Sequence, residues 1–378
     1  MRRIRVLHFA RVINRHDFID TVIRHADPER FSMLACTLWA RSPIADPAYA
    51  DIAVPHCVIR GDHRWQYPWT VAALLSVVRK HDVDILHVHH YDEALIGWLA
   101  SSLRPATRLV VGRHYSDSLY RVSQPVKRRL LLALEQLPYH RARRVVVPST
   151  LIRDILLRQG LPESRITLIP YGFDSGRYDP PSDQDLAALR ATLALEGRFV
   201  VACFGRLEPQ KGQQFLIEAT VRLRRLVPTI LVLLVGEGPG RIALENQVRE
   251  HRLEDHVRLT GWRRDVLQIM ASADVVAQPT LQEAFSQVMA EALWMGRALV
   301  ITPVGGVADI IRNGENGVVV PFGDEAALAA TIHQLAQDDS RRRSLGRNGR
   351  AFAERTLDIR RVIPRHERVY AEVFDERG

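Results

Sequence analysis

The residues best suited to chemistry in this chain are two glutamates, Glu283 and Glu291, which open and close the run Glu-Ala-Phe-Ser-Gln-Val-Met-Ala-Glu. An ionised carboxylate only accepts hydrogen bonds and can hold two neighbouring hydroxyl groups, so such a pair suits a sugar or a ribose. The run lies between the apolar stretches 274–279 and 297–306, and the order reads strand, loop, helix, strand. Glu283 then falls at the carboxyl end of a strand, where open parallel sheets bind ligands, and Glu291 follows about two helical turns later on the same side. Upstream, the apolar run 198–204 ends in Gly205-Arg206-Leu207-Glu208-Pro209-Gln210-Lys211-Gly212, and the run 230–235 ends in Gly236-Glu237-Gly238-Pro239-Gly240. An isolated pair of glutamates is more often a pair of solvated side chains. Two glycine-rich strand-to-helix turns in the same stretch weigh against that here.

The succession Gly-Arg-Leu, Lys-Gly, Val-Gly-Glu-Gly-Pro, the glutamates with seven residues between them, and Gly305-Gly306 resembles the retaining glycosyltransferases of family 4. The resemblance is dense from about Arg165 to Phe322 and thinner before it. It implies an α/β fold of GT-B architecture: two facing Rossmann-like domains with parallel sheets and an interdomain cleft. It further implies a retaining, metal-independent enzyme that moves a sugar from a UDP- or GDP-linked donor to a hydroxyl acceptor in glycan, glycolipid or polysaccharide biosynthesis. No cofactor beyond the donor is expected, and a front-face displacement is the favoured route to retention.

Carried over by the resemblance, Arg206 and Lys211 would offset the diphosphate, Glu291 would bind the ribose and Glu283 the donor sugar. Glu237 and Arg263 would contact the donor and its base, with Phe285 and Ser286 in the same site. Gly305 and Gly306 would admit backbone amides. His114, in Val-Gly-Arg-His-Tyr-Ser, matches the family histidine that lies over the donor sugar near the reacting carbon, with a hydrogen-bonded structural histidine as the alternative. The catalytic set is therefore His114, Glu283, Arg206 and Lys211. Lys211→Ala is expected to lose about 2–4 kcal/mol of transition-state stabilisation and to leave the melting temperature nearly unchanged. The rivals are an epimerase or phosphorylase of the same architecture and an inactive nucleotide-sugar-binding protein. A product assay with and without an acceptor separates the enzymes.

The first loop departs from the family: residues 10–17 read Ala-Arg-Val-Ile-Asn-Arg-His-Asp, with no glycine. Arg11, Asn14 or Arg15 would replace backbone contacts there. Asp82-Val83-Asp84 looks like a metal-binding acidic triplet, yet it directly precedes an apolar strand, and Asp84 resembles the family's strand-leading aspartate. His87, His89 and His90 lack a carboxylate or cysteine at ligand-like spacing, so a cleft wall or core role is expected rather than a zinc site. Ser149 reads equally as a family serine and as a helix cap.

These residues need two scaffolds to position them. With 378 residues, 47% of them hydrophobic, the chain can fill two α/β cores. Alternating strands and helices run through the first half. Tyr171-Gly172-Phe173-Asp174, followed by Pro180-Pro181, marks a crossing. The domains are expected at 1–175 and 176–355, with a terminal helix over 356–378 packing back on the first, as the resemblance implies. No apolar run reaches the ~18 residues of a membrane span, and the opening segment is too short for a signal peptide. Cys36, Cys57 and Cys203 are expected as buried free thiols with no close pair. A cytoplasmic protein follows from these readings.

Charge is uneven. Residues 1–180 hold 26 Lys and Arg against 17 Asp and Glu, a net +9, whereas residues 181–378 hold 26 of each. No nucleic-acid motif accompanies the excess. The helix over 125–137 instead suggests an anionic membrane. Val126, Leu130, Ala133, Leu134 and Leu137 form one stripe expected to face the sheet, leaving Leu131 and Leu132 beside Lys127, Arg128 and Arg129. The alternative is that a neighbouring loop covers both leucines; the charge excess favours reversible attachment to the inner face of the plasma membrane, with a sugar or lipid-linked acceptor.

Overall fold

The computed structural model describes residues 2–11, 13, 18–39, 54–61, 63–116, 124–179 and 181–376. The chain forms two compact units, Met1–Phe173 with Ile359–Gly378, and Asp174–Asp358.

The first unit is built on seven parallel strands: β1 (Ile4–Ala10), β2 (Phe31–Trp39), β3 (His56–Arg60), β4 (Ile85–His89), β5 (Arg108–Gly112), β6 (Arg144–Val147) and β7 (Ile166–Leu168). Their spatial order is 3-2-1-4-5-6-7. Both faces are covered by helices, which is why β1 and β4 read as nearly continuous apolar runs. The helices are α1 (Phe18–His25), α2 (Tyr67–Lys80), α3 (Tyr91–Leu103), α4 (Pro125–Arg141) and α5 (Thr150–Arg158). Strand order reverses between β1 and β4, so the connections leave in opposite directions and open a crevice at the carboxyl ends.

The second unit repeats the plan with β8 (Phe199–Phe204), β9 (Ile230–Val235), β10 (Val257–Gly261), β11 (Val275–Gln278), β12 (Ala298–Ile301) and β13 (Val318–Val319) in the order 10-9-8-11-12-13. Its helices are α6 (Asp183–Thr192), α7 (Gln213–Leu226), α8 (Arg241–Glu250), α9 (Val266–Ser272), α10 (Gln287–Trp294), α11 (Val307–Ile310), α12 (Glu325–Gln337) and α13 (Asp339–Thr356). The switch point lies between β8 and β11. Two glycines there admit no side chain. Gly212, at φ 74°, would place a Cβ 1.9 Å from the Pro279 carbonyl oxygen, and Gly236, at φ 144°, would place one 2.0 Å from that of Gly205. Bare backbone thus lets the loops after β8, β9 and β11 close on one another.

The last helix, α14 (Ile359–Asp375), belongs to the first unit. It buries Ile359, Val362, Ile363, Val369, Tyr370 and Val373 in the core that holds Val6, Ile85 and Val110. Each such aliphatic side chain contributes about 1.5–3 kcal/mol when fully buried.

Two readings of the sequence change. Cys36 and Cys57 are register partners on β2 and β3, with their thiols hydrogen-bonded, and Cys57 is only half-buried. Parallel pairing brings together residues whose sequence separation hides their nearness. All three cysteines remain free thiols.

Helix α4 is also turned from its expected face. Val126 is 79% exposed and Leu130 59%, whereas Leu131, Leu132 and Leu134 are half-buried. Polar groups set this orientation. Glu135 on α4 accepts a hydrogen bond from Tyr115 Oη at 2.7 Å and sits 3.5 Å from the fully buried guanidinium of Arg113. Leaving that buried guanidinium without its carboxylate would cost more than exposing aliphatic side chains, since a broken buried pair costs roughly 3–5 kcal/mol.

Candidate active site

At the switch point of the second unit, Lys211 follows β8 and Glu283 follows β11, and the Lys211 ammonium donates to Glu283 Oε1. Both side chains are mostly enclosed, at 21% and 14% exposure. Cys203, on β8 nearby, has its thiol pushed up to about 12 by burial; Lys211 pulls it down and Glu283 raises it. Around Glu283 the chain is tightly drawn. Its carbonyl accepts the Gly305 amide at 3.1 Å, and a Cβ on Gly305 would stand 2.3 Å from the carbonyl oxygens of Glu283 and Ala284. Gly306, at φ 83°, lies under the Phe285 ring, which a Cβ would approach to 2.9 Å. The Gly305 amide is therefore engaged within the protein.

Glu291 has other neighbours. It sits on α10, whose amino end is capped by Ser286 Oγ accepting from the Met289 amide at 3.3 Å. Ser286 is thus fixed as a cap. Burial pushes Glu291 up to about 7, and the Arg177 guanidinium offsets part of this. Tyr178 feels the same carboxyl, since Glu291 helps raise its phenol after burial has done so. The remaining candidate charges are paired within the unit. Arg206 meets Glu208 at 2.8 Å, Glu237 accepts from Arg241 at 2.6 Å, and Arg263 grips Asp265 with bonds of 2.8 and 2.6 Å. Arg206 is 71% exposed, so a second anion can reach it without desolvation.

In the first unit His114 follows β5 and is half-buried. Both its nitrogens are occupied: Nδ1 lies 3.1 Å from Tyr171 Oη, and Nε2 3.0 Å from His89 Nδ1. Phe18 covers the pair, with its ring centroid 4.0 Å from that of His114 and 4.5 Å from that of Tyr171. Burial, reinforced by His90, holds His114 well below the usual imidazole range. It is neutral at pH 7. His87 and His89 are likewise held neutral by burial.

Among the described residues, one group of three metal-capable side chains stands close together, His8, His87 and His89. A cation there would have to displace the 3.1 Å bond between His8 Nδ1 and His89 Nε2. Asp82 and Asp84 are occupied at the amino end of β4. Asp84 accepts the Arg5 amide at 2.9 Å and pairs with Arg2, and Asp82 pairs with Arg5 and Arg104 at 2.7 Å each. These carboxylates tie β1 to β4.

In the first loop, Arg11 meets Asp92 at 3.3 Å and Glu93 at 3.4 Å. Asn14 and Arg15 lie outside the described residues. Ser149 stands at the N-cap position of α5, but its side chain makes no capping bond.

Sequence reasoning did not find Arg177, Tyr178, His8, Tyr171 or Tyr370 as neighbours of these groups. No local signal marks His8: it pairs in register with His87 across β1 and β4, and that register exists only in the folded sheet.

Two family models match the chain, Glycosyltransferase Family 4 over residues 20–177 and Glycosyl transferases group 1 over residues 187–352. The chain is 28% identical over 317 residues to the D-inositol 3-phosphate glycosyltransferase of Salinispora tropica, covering 78% of this chain and 64% of that protein. It is 31% identical to the protein of the same name from Saccharomonospora viridis, covering 72% and 66%. With the N-acetyl-alpha-D-glucosaminyl L-malate synthase of Bacillus anthracis it shares 25% identity over 82% and 81%. The chain thus spans a little under two thirds of the length of these two inositol 3-phosphate relatives. Its fold is similar to that of Anabaena Alr3699/HepE in complex with UDP, with a TM-score of 0.85 at 22% identity over 98% of this chain and 100% of that one. It is also similar to sucrose-phosphate synthase from Thermosynechococcus elongatus, with a TM-score of 0.80 at 21% identity over 98% and 99%. These are GT-B folds, each built from two Rossmann-like domains.

Proposed function

The chain belongs to glycosyltransferase family 4, and we propose that it moves a sugar from a nucleotide-diphosphate sugar to a hydroxyl acceptor, with retention of configuration and without a divalent metal. The observation that carries this reading is the Lys211–Glu283 pair at the switch point of the second sheet. A nucleotide-sugar donor needs a cation for its diphosphate and a carboxylate for its sugar hydroxyls, and here the two stand side by side. In the resting protein each neutralises the other. On donor binding, phosphate takes the ammonium and hydroxyls take the carboxylate, so neither charge is left bare. Arg206 and the amino end of α7 add positive potential at the leaving group. Glu291 is assigned to the ribose, and Glu237 and Arg263 to the rest of the nucleotide.

The nucleotide is read as UDP, because the similar Anabaena protein is known in complexes with UDP and with UDP-glucose. The acceptor is read as a hydroxyl compound bearing negative charge or a lipid anchor. Relatives named for inositol 3-phosphate and L-malate, and the +9 on residues 1–180, support this. His114 is placed at the donor sugar as a neutral, orienting group. Helix α4, with exposed Val126, Leu130 and Leu137 beside Lys127 and Arg129, is proposed to rest on an anionic membrane.

A thermal-shift panel of UDP- and GDP-sugars, followed by transfer assays in excess EDTA, tests the reading. A donor that stabilises the protein and yields a product of retained anomeric configuration supports it. An inverted product, a product formed without acceptor, or no response to any nucleotide sugar would overturn it.

A further inference from the structure

Five hydrogen bonds link six side chains of the first unit in single file. Tyr171 Oη meets His114 Nδ1 at 3.1 Å, His114 Nε2 meets His89 Nδ1 at 3.0 Å, and His89 Nε2 meets His8 Nδ1 at 3.1 Å. His8 Nε2 then meets Tyr370 Oη at 3.2 Å, and Tyr370 Oη meets His87 Nδ1 at 2.9 Å. The file joins three elements and two loops, since His87 and His89 lie on β4, His8 on β1 and Tyr370 on α14, while His114 follows β5 and Tyr171 follows β7.

A neutral imidazole has one N–H and one bare nitrogen. Three imidazoles joined through both nitrogens must therefore pass the hydrogen in one direction. If one turned round, two N–H groups or two lone pairs would face each other at 3.0–3.1 Å. Only two arrangements remain. Either every Nδ1 carries the hydrogen and the file points to Tyr171, or every Nε2 carries it and the file points to Tyr370.

The His87 end selects between them. Its Nε2 is buried and has no hydrogen-bond partner among the described residues. The second arrangement strands one enclosed donor without an acceptor, either that nitrogen's N–H where Tyr370 donates to His87 or the Tyr370 O–H where His87 donates to it, whereas the first leaves only a bare lone pair. Enclosed donors without partners are the rarer of the two in folded proteins. Gly112 shows that the fold accommodates this file: a Cβ there would lie 2.4 Å from His114 Nε2 and 2.8 Å from His89 Nδ1, inside their bond.

We infer that His8, His89 and Tyr370 are positioning residues that hold His114 in its Nδ1–H tautomer, so that Tyr171 receives that hydrogen and keeps its own O–H for donation. The functional part rests on the reading of His114 as the first unit's residue at the donor sugar. A histidine whose second nitrogen is fixed by a partner presents one polarity only, which is how a tautomer is set at a working site.

Long-range proton–nitrogen NMR on the full chain labelled with 15N-histidine reads the tautomers directly. His8, His87, His89 and His114 are expected all as Nδ1–H. Mixed tautomers among His8, His89 and His114, or Nε2–H throughout, overturn the inference. Tyr370→Phe removes one oxygen from the file. It should lower kcat about tenfold with donor KM within twofold of wild type, and should bring Nε2–H signals into His8 or His89. If Tyr370→Phe keeps full kcat and an unchanged tautomer pattern while His114→Ala loses transfer, the positioning role is wrong. If His114→Ala itself transfers normally, the assignment of His114 to the donor sugar fails and the functional part falls with it, whereas the tautomers of the wild type still decide the file.

Discussion

Lys211 and Glu283 stand 72 positions apart in sequence and form an ion pair across the point where the second sheet reverses its strand order. The pairing changes what removal of the lysine should do. Lys211→Ala leaves a largely enclosed Glu283 without its cation, so the melting temperature should fall measurably, contrary to the reading from sequence. Turnover should drop by the equivalent of about 2–4 kcal/mol as well. The double substitution Lys211→Ala with Glu283→Ala removes both charges, and should recover most of the melting temperature while transfer stays lost. Calorimetry and initial rates on the three variants check this. A stable, fully active Lys211→Ala would contradict the phosphate assignment.

Glu291 gives the donor site a pH dependence. Its carboxyl is pushed up to about 7 from 4.5, first by burial, so near neutrality the empty site is partly protonated. A carboxylate that grips two ribose hydroxyls must be ionised. Affinity for UDP should therefore weaken about tenfold from pH 8 to pH 6, following the ionised fraction. Titration calorimetry at several pH values measures it, and Glu291→Gln should flatten the dependence.

The same shift fixes the sign for stability. A carboxyl raised in the folded state stabilises most below its unfolded value of 4.5, and that stabilisation is lost as pH rises through about 7. Glu93 behaves alike, since burial pushes it up to about 7 against the pull of Arg11. The empty protein should lose melting temperature between pH 5 and pH 8 on account of both groups. Glu93→Gln and Glu291→Gln should each remove part of that slope, and an unchanged slope in the double variant would refute the assignment.

Divalent metal is assigned no part in donor binding. Transfer should survive excess EDTA, and Asp84→Asn should lower the melting temperature, because Asp84 holds Arg2 and the Arg5 amide, while leaving the donor KM unchanged. Loss of activity restored by manganese would return Asp82 and Asp84 to consideration.

Helix α4 predicts salt-sensitive attachment to anionic vesicles. Each basic residue near such a surface adds about 1 kcal/mol, so Lys127→Gln with Arg129→Gln should weaken sedimentation with anionic lipid at low salt. Leu130→Ser, on the exposed stripe, should weaken it too, whereas Leu131→Ser should act chiefly on stability. Equal binding to neutral and anionic vesicles would remove the electrostatic part of the proposal.

How far the site was legible depended on which force placed each residue. The glycines after β8, β9 and β12 were readable because a backbone that must turn sharply or approach another leaves glycine in the sequence. Gly212 and Gly236 confirm this against Pro279 and Gly205. The alternating strands of both sheets were readable from their apolar runs. The face of α4 was not, because leucines lie on both sides and the deciding groups are polar. Glu135 and Tyr139 dock on Arg113 and Tyr115, a network that hydrophobic spacing cannot see. Cys36 with Cys57, and His8 with His87, required the strand register, which parallel pairing across intervening helices does not write locally. Lys211 with Glu283 was hidden for another reason: 72 positions separate them, and only the closing of the β8 and β11 loops on one another brings the two charges together.

The return of α14 to the first unit orders events during synthesis. The ribosome delivers the whole second unit, Asp174–Asp358, before it makes the segment that fills the core around Val6, Ile85 and Val110. The first unit is begun first and closed last. Until α14 arrives, that apolar surface faces solvent or a chaperone, and the histidine file lacks the Tyr370 hydroxyl that joins His8 to His87. A stalled or clipped chain lacking α14 would thus carry a folded second unit with its Lys211–Glu283 pair beside an open, aggregation-prone first unit.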